Sequence, residues 1–180
     1  MSLRPSTHDS SATHHGSESS AARPTIGWRE WIALPELGIP LIKAKIDTGA
    51  RSSALHAYDV TPFHKRGGLW VRFKVHPVQR NATLEVESAA RVHDRRYVRT
   101  SSGARQLRWV IETDFEIMGL RWPMELTLST RDQMGFRMLL GRQAVRRRAL
   151  IDPGGSFLAG RWKRRAVLNR FASIARRHNG

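Results

Sequence analysis

The residues best placed to do chemistry are Asp47-Thr48-Gly49-Ala50, where the apolar-alternating run from Ile39 to Ile46 breaks into a turn. A carboxylate held at a strand end can take a proton from water or, when protonated, hydrogen-bond a carbonyl oxygen. Acid and base work together needs two such groups in different protonation states. The segment occurs once in 180 residues. A catalytic pair must therefore draw its second member from elsewhere, most simply from another copy of the chain. Taken alone, the four residues are also ordinary turn chemistry, because Asp and Gly are common where strands end.

The elements that must position Asp47 follow a period of two. Trp28 to Leu34 reads as a strand, Pro35-Glu36-Leu37-Gly38 as a turn and Ile39 to Asp47 as a second strand. Leu69, Val71, Phe73 and Val75 alternate with Trp70, Arg72 and Lys74 after a turn at Arg66-Gly67-Gly68, and a short strand fits Ala82 to Glu87. From Leu107 to Ile117 the pattern predicts Leu107, Trp109, Ile111, Phe115 and Ile117 on one face, with Arg108, Glu112, Asp114 and Glu116 opposite. Met118-Gly119 turns that run into Trp122 to Leu128. Met138 to Leu140 is a short apolar strand, Gln143 to Arg148 a helical turn, and Leu150-Ile151 and Ser156 to Leu158 flank a turn at Asp152 to Gly155. Short strands punctuated by turn residues predict an all-β barrel or sandwich. Beyond Arg161 the spacing of Val167, Leu168, Phe171, Ile174 and Ala175 becomes helical.

Composition narrows the classes. Thirty-one Lys and Arg against 15 Asp and Glu give a net charge of +16, a balance that favours polyanion contact. The segment 161–180 carries seven Lys or Arg and no acid. Its basic amphipathic helix suits RNA or an anionic surface, and equally a solvated face with no partner. Absence of cysteine excludes a disulfide framework and any Cys-based zinc site. No run of 18 apolar residues exists, so no transmembrane helix is expected, and the lack of an apolar leader favours a cytoplasmic location. Residues 1–25, rich in Ser, His and Ala, bury too little to offset ordering entropy and read as a disordered tail. The expected organisation is that tail, a domain over 26–160 and the basic tail 161–180.

Several blocks in order resemble a known family. They are Gly27-Trp28-Arg29-Glu30-Trp31, the run from Lys43 to Ala57, Glu125 to Leu128, Met134 to Arg142, Ile151-Asp152-Pro153 and Ser156-Phe157-Leu158. Together they are similar to the bacterial retropepsin-like proteins catalogued as ATP-dependent zinc proteases and associated with RimK-type ATP-grasp ligases. The resemblance covers roughly residues 26–158. It implies a closed, retropepsin-like all-β barrel with one short helix, acting as a homodimeric aspartic peptidase with Asp47 catalytic in each protomer. In that pattern Thr48 braces the two loops, Gly49 lets substrate backbone approach and Ala50 leaves room beside it. Leu139-Leu140-Gly141 packs behind the catalytic loop, extended by Arg142. The substrate-covering flap falls at Thr100 to Gly103, with Ser101, Ser102 and Gly103 as its small tip residues. The ligase association implies a peptide or protein substrate, with an acidic tail as the kind it suggests.

Two departures from the retroviral pattern stand out. Retroviral enzymes place an acid directly after Asp-Thr-Gly-Ala to pair with the Arg that follows the apolar-apolar-Gly block. Here that position is Arg51, so Arg142 is expected to find another acid, Asp152 or Glu125. In addition, 94 positions separate Asp47 from Gly141 (141 − 47), and the extra length falls between Tyr58 and Arg99.

The zinc and ATP of the family's catalogue name lack sequence support. There is no His-Glu-x-x-His, and His56, Asp59, His64, His76 and His93 are irregularly spaced. Gly155 to Trp162 has phosphate-loop glycine spacing without the Lys and Ser/Thr that bind phosphate and magnesium. Gly154 to Leu158 lacks the last glycine of a nucleophile elbow. No metal ligand and no cofactor are assigned. The competing class is a binding module of the same fold, contacting RNA or a ribosome through its basic surface, with Asp47 a structural turn.

Overall fold

The computed structural model describes residues 22–99, 103–130 and 135–178. Eleven strands and two helices are assigned there. The strands are β1 (Thr25–Gly27), β2 (Arg29–Leu34), β3 (Ile39–Asp47), β4 (Ser53–His56), β5 (Tyr58–Lys65), β6 (Gly68–Val75), β7 (Val86–Arg99), β8 (Arg105–Ile117), β9 (Leu120–Ser129), β10 (Met138–Gly141) and β11 (Leu150–Asp152). The helices are α1 (Arg142–Val145) and α2 (Arg164–His178). The chain is all-β in class, as its alternation predicts.

Nine strands form one sheet in the order β2-β3-β10-β4-β9-β8-β7-β6-β5, and a single pairing of Ala33 with Glu116 joins β2 back to β8. Six strands thus close into a ring around Ile32, Leu34, Ile42, Leu55, Ile111, Phe115, Leu126, Met138 and Leu140, all buried. Closure of this kind removes strand edges that would otherwise invite mispairing. β7 is shared: its first half pairs with β6 and its second half with β8. The length between Tyr58 and Arg99 forms the β5–β6 hairpin and the long β7. Outside the ring, β1 and β11 make a two-stranded parallel pair, with Thr25 opposite Leu150. Thr25 is therefore the first residue of a strand. α2 packs on β3 through Val167 and Phe171. Among the described residues no helix is long and apolar enough to cross a membrane.

Some expectations change in detail. The strand placed at Ala82 to Glu87 starts only at Val86, because the Asn81 side-chain oxygen accepts from the N–H groups of Thr83 and Leu84 and holds a turn there. Ser156 to Leu158 is a loop. Leu107 and Trp109 keep the parity of Ile111 and Phe115 along β8, but Leu107 is exposed and Trp109 only half-buried. The buried face of β8 changes sides at Val110 and Ile111, both buried, opposite a one-residue slip of the β7 ladder between Val92 and Asp94. Arg108 is consequently buried and Leu107 exposed. The slip lies in β7, so β8 keeps its alternation while the covered side of the sheet changes, which a fixed period of two cannot anticipate.

Candidate active site

Asp47 is the last residue of β3, half-buried, and Thr48 and Gly49 beyond it are exposed. The Ala50 N–H folds back onto both the Asp47 carbonyl (3.2 Å) and Asp47 Oδ1 (3.3 Å), so the turn orients its own carboxylate. A Cβ on Gly49 would lie 3.4 Å from Asp47 Oδ1. A longer side chain there would crowd the carboxylate.

β10 fixes the turn from behind. It runs parallel to β3 with Gly141 opposite Asp47, and antiparallel to β4 with Leu139 opposite Ala54. Leu140 is fully buried beneath, while Leu139 is half-buried. Gly141 is required by contact: a Cβ there would sit 2.4 Å from the backbone carbon and oxygen of Ser52. Its N–H donates to Ser53 Oγ (3.1 Å). The next two N–H groups continue the lock, Arg142 to the Ala50 carbonyl (2.8 Å) and Gln143 to the Arg51 carbonyl (3.1 Å). All the positions expected to build the site, Asp47 to Ala50 and Leu139 to Arg142, therefore meet in one interlocked pair of segments.

Neither acid expected to pair with Arg142, Asp152 or Glu125, does so. Its Nη1 donates to the Thr48 carbonyl at 2.7 Å. Asp152 is turned to the Gly154 N–H (2.8 Å), and Glu125 is engaged by Arg96 (2.8 Å) and lies 3.9 Å from His93. A carbonyl suffices here because the exposed guanidinium stays hydrated and needs no counter-charge. Arg142 thus braces the Asp47 turn directly, whereas the retroviral arrangement would work through an acid. Of the expected flap tip, Ser101 and Ser102 lie outside the described residues, as does Thr100. Gly103, at φ +83°, leads into β8.

Two contributors escaped the sequence reading. Ser53 Oγ is the acceptor that ties β4 to Gly141. Glu30, fully buried, accepts from the N–H groups of Gly27 (2.6 Å), Leu158 (2.8 Å) and Ala159 (3.2 Å). It joins the β1–β2 corner to the loop after β11. Its sequence trace is a carboxylate at an inward position of β2, in phase with Ile32 and Leu34.

The suggested metal donors do not fit a zinc ion. His56 is buried on β4, and His76 stacks on Tyr58 with Nδ1 at 3.1 Å from the Leu84 carbonyl. His93 lies on β7 beside Glu112. Among the described residues no group of three His, Cys, Asp or Glu side chains is arranged to hold a metal.

Comparison with known proteins agrees with this geometry. A profile of the RimB-like family, described as retropepsin-like aspartic endopeptidase RimB, matches residues 25–162. The chain is 44% identical over 135 residues to a "Probable alpha-L-glutamate ligase" of Shewanella pealeana, covering 75% of this chain and 30% of that protein. It is 40% identical over 155 residues to a protein of the same name from Parasynechococcus marenigrum, covering 86% and 33%. The chain thus spans only about a third of the length of these relatives. A crystal structure of a protein of unknown function from Legionella pneumophila shares the fold, with a TM-score of 0.64 at 23% identity over 77% of this chain and 99% of that one.

Proposed function

The chain belongs to the RimB-like family of retropepsin-like aspartic endopeptidases, and from that premise we propose that it hydrolyses peptide bonds with a pair of Asp47 carboxylates, one from each of two protomers. The observation that carries this reading is the Asp47 turn itself. It is fixed from behind by Gly141 and Arg142 while Thr48 and Gly49 stay exposed. Two carboxylates brought within hydrogen-bonding distance across a two-fold axis share one proton, because both cannot ionise side by side. The ionised Asp47 takes a proton from water as the oxygen attacks the peptide carbonyl. The protonated one, Asp47 of the partner subunit, hydrogen-bonds the carbonyl oxygen and then hands its proton on toward the leaving amine.

The substrate in this reading is an acidic peptide. A chain of net charge +16 attracts one electrostatically, and the relatives that contain this segment are named for joining glutamate. Asp47→Asn tests the chemistry. It is expected to cut kcat on an acidic peptide by roughly 10³-fold or more while the folded dimer persists. Undiminished turnover by that variant sinks the peptidase reading. It would favour a binding module, for which the exposed Arg164, Arg165, Arg170 and Arg176 of α2 are the reason to test RNA.

A further inference from the structure

β2 and β3 present a row of cations leading to Asp47. Inward residues of β3 are Ile42, Ala44 and Ile46, so Lys43, Lys45 and Asp47 share its other face. Arg29 lies opposite Lys45 and Trp31 opposite Lys43, which puts all four side chains on that outer surface. The row ends in a cavity of about 170 Å³ lined by Trp31, Lys43, Gln79, Trp162, Arg164 and Val167. Gln79 is held there by its bond to the Gly135 carbonyl.

Among the described residues no acid lines this cavity. The cations rest on aromatic faces instead. Lys43 Nζ is 5.2 Å from the Trp31 ring centre and 5.5 Å from that of Phe157, and the Arg29 guanidinium is 5.0 Å from the Phe157 ring centre. An aromatic quadrupole compensates a cation far less than a carboxylate does. Burial, with Arg29 and Arg80 nearby, accordingly holds the Lys43 ammonium below the ordinary lysine range. Such a group gains from an incoming anion, which relieves both the desolvation and the repulsion.

We propose that this face is a carboxylate-binding track for an extended acidic peptide, with Lys45 and Arg29 next to the reacting bond and the Lys43 cavity as a distal subsite. The inference rests on the peptidase reading for its substrate, and names the residues that select it. Lys43 lies four strand positions before Asp47, about 13 Å away at the usual rise of 3.3 Å per residue. A bound peptide in extended form covers that distance in about four residues. The cavity, well under the ~300 Å³ of sites for drug-sized ligands, suits one short acidic side chain between two indoles.

Binding of fluorescein-labelled oligoglutamates to the Asp47→Asn protein tests this without cleavage. Hexaglutamate is expected to bind more tightly than diglutamate. Lys43→Met and Arg164→Gln should each weaken the hexamer about tenfold and leave the dimer peptide unchanged, with Lys43→Arg restoring binding. Lys65→Met, which removes an equal charge at the β5–β6 turn, should have no effect. Equal losses from Lys65→Met and Lys43→Met would mean diffuse attraction and overturn the track. So would tighter binding of oligouridylate at the same residues, which would reassign the surface to RNA. Arg164→Gln, at an exposed site, keeps the test valid if Lys43→Met does not fold. The two readings fail separately. Peptides cleaved by the native protein with no dependence on length or Lys43 remove the track alone. Peptides bound through Lys43 but never cleaved remove the peptidase alone.

Discussion

Arg142 shows how a single guanidinium can serve a turn through a backbone carbonyl. Its Nη1 spans from the start of α1 to the Thr48 carbonyl, while its own N–H holds Ala50 two residues later. Thr48 and Ala50 follow directly on Asp47, the residue that must move least when substrate enters. Arg142→Met keeps the backbone bond and most of the side-chain volume but removes the charged donor. A hydrogen bond from a charged group contributes about 1.5–3 kcal/mol, discounted toward the low end for this exposed side chain. The expected outcome is a loss of about 1 kcal/mol in denaturant unfolding, with kcat falling and KM holding, since a loosened Asp47 is misplaced for the transition state more than for binding. Unchanged kcat would show that the backbone lock alone fixes the turn. At this scale the sequence was informative where chemistry and neighbours agreed. Asp47-Thr48-Gly49 and Leu139-Leu140-Gly141 could be paired only through the family resemblance, and the close approach of Gly141 to Ser52 supplies the physical reason. The partner of Arg142 was not legible, because a backbone carbonyl leaves no mark in composition. Glu30 was hidden for a related reason: its three N–H donors come from two segments, one of them more than 120 positions away.

Elements were legible where one face is buried throughout. β3 runs over Ile39–Asp47 as its alternation predicts, and β9 likewise places Met124, Leu126 and Leu128 inward. β5 was not, since its residues are exposed or half-exposed along its whole length and alternate nothing. What fixes the start of β5 is polar. The Tyr58 hydroxyl donates to Glu85 Oε2 (2.6 Å), sits 2.8 Å from His76 Nε2, and its ring stacks on His76. Burial, followed by the hydrogen bond to Glu85, pushes the phenol up to about 12 from its ordinary 10.0. The folded state therefore holds that proton more tightly than the unfolded chain. The stabilisation is complete below pH 10 and disappears as pH rises through about 12. Tyrosinate absorbance after a rapid pH jump should show one of the chain's two tyrosines ionising near pH 12, and Tyr58→Phe should remove that late step. A Tyr58→Phe titration that keeps the late step would break the link between this bond and the β5–β6–β7 corner.

The whole molecule must reconcile a strongly basic surface with the proposed site, of which one protomer supplies only one carboxylate. Acids gather on β8 and β9, where Arg121 engages Asp114 at 2.6 Å and Glu36 at 3.3 Å, and Arg96 engages Glu125. Among the described residues Arg29, Lys43 and Lys45, on the outer face of β2 and β3, form no such ion pair, so positive charge stands beside Asp47 without a fixed acidic partner. Self-repulsion between two such faces opposes association, and a dimer must offset it through apolar contact or a bound acidic chain. Leu150 and Leu158, about half exposed beside the open β1–β11 pair, are apolar area of the kind such a contact uses. If the pair of Asp47 residues is the working unit, subunit mixing has a quantitative signature. Equal amounts of native and Asp47→Asn protein, exchanged to equilibrium, leave native pairs as about one quarter of all dimers. Activity at fixed total chain concentration should fall to about that quarter, and acidic peptide or moderate salt should raise specific activity at low protein concentration by favouring the dimer. A fall to one half would mean that each protomer works alone. In that case the second acid or base would have to come from the same chain, and the Asp47 turn would need a new partner.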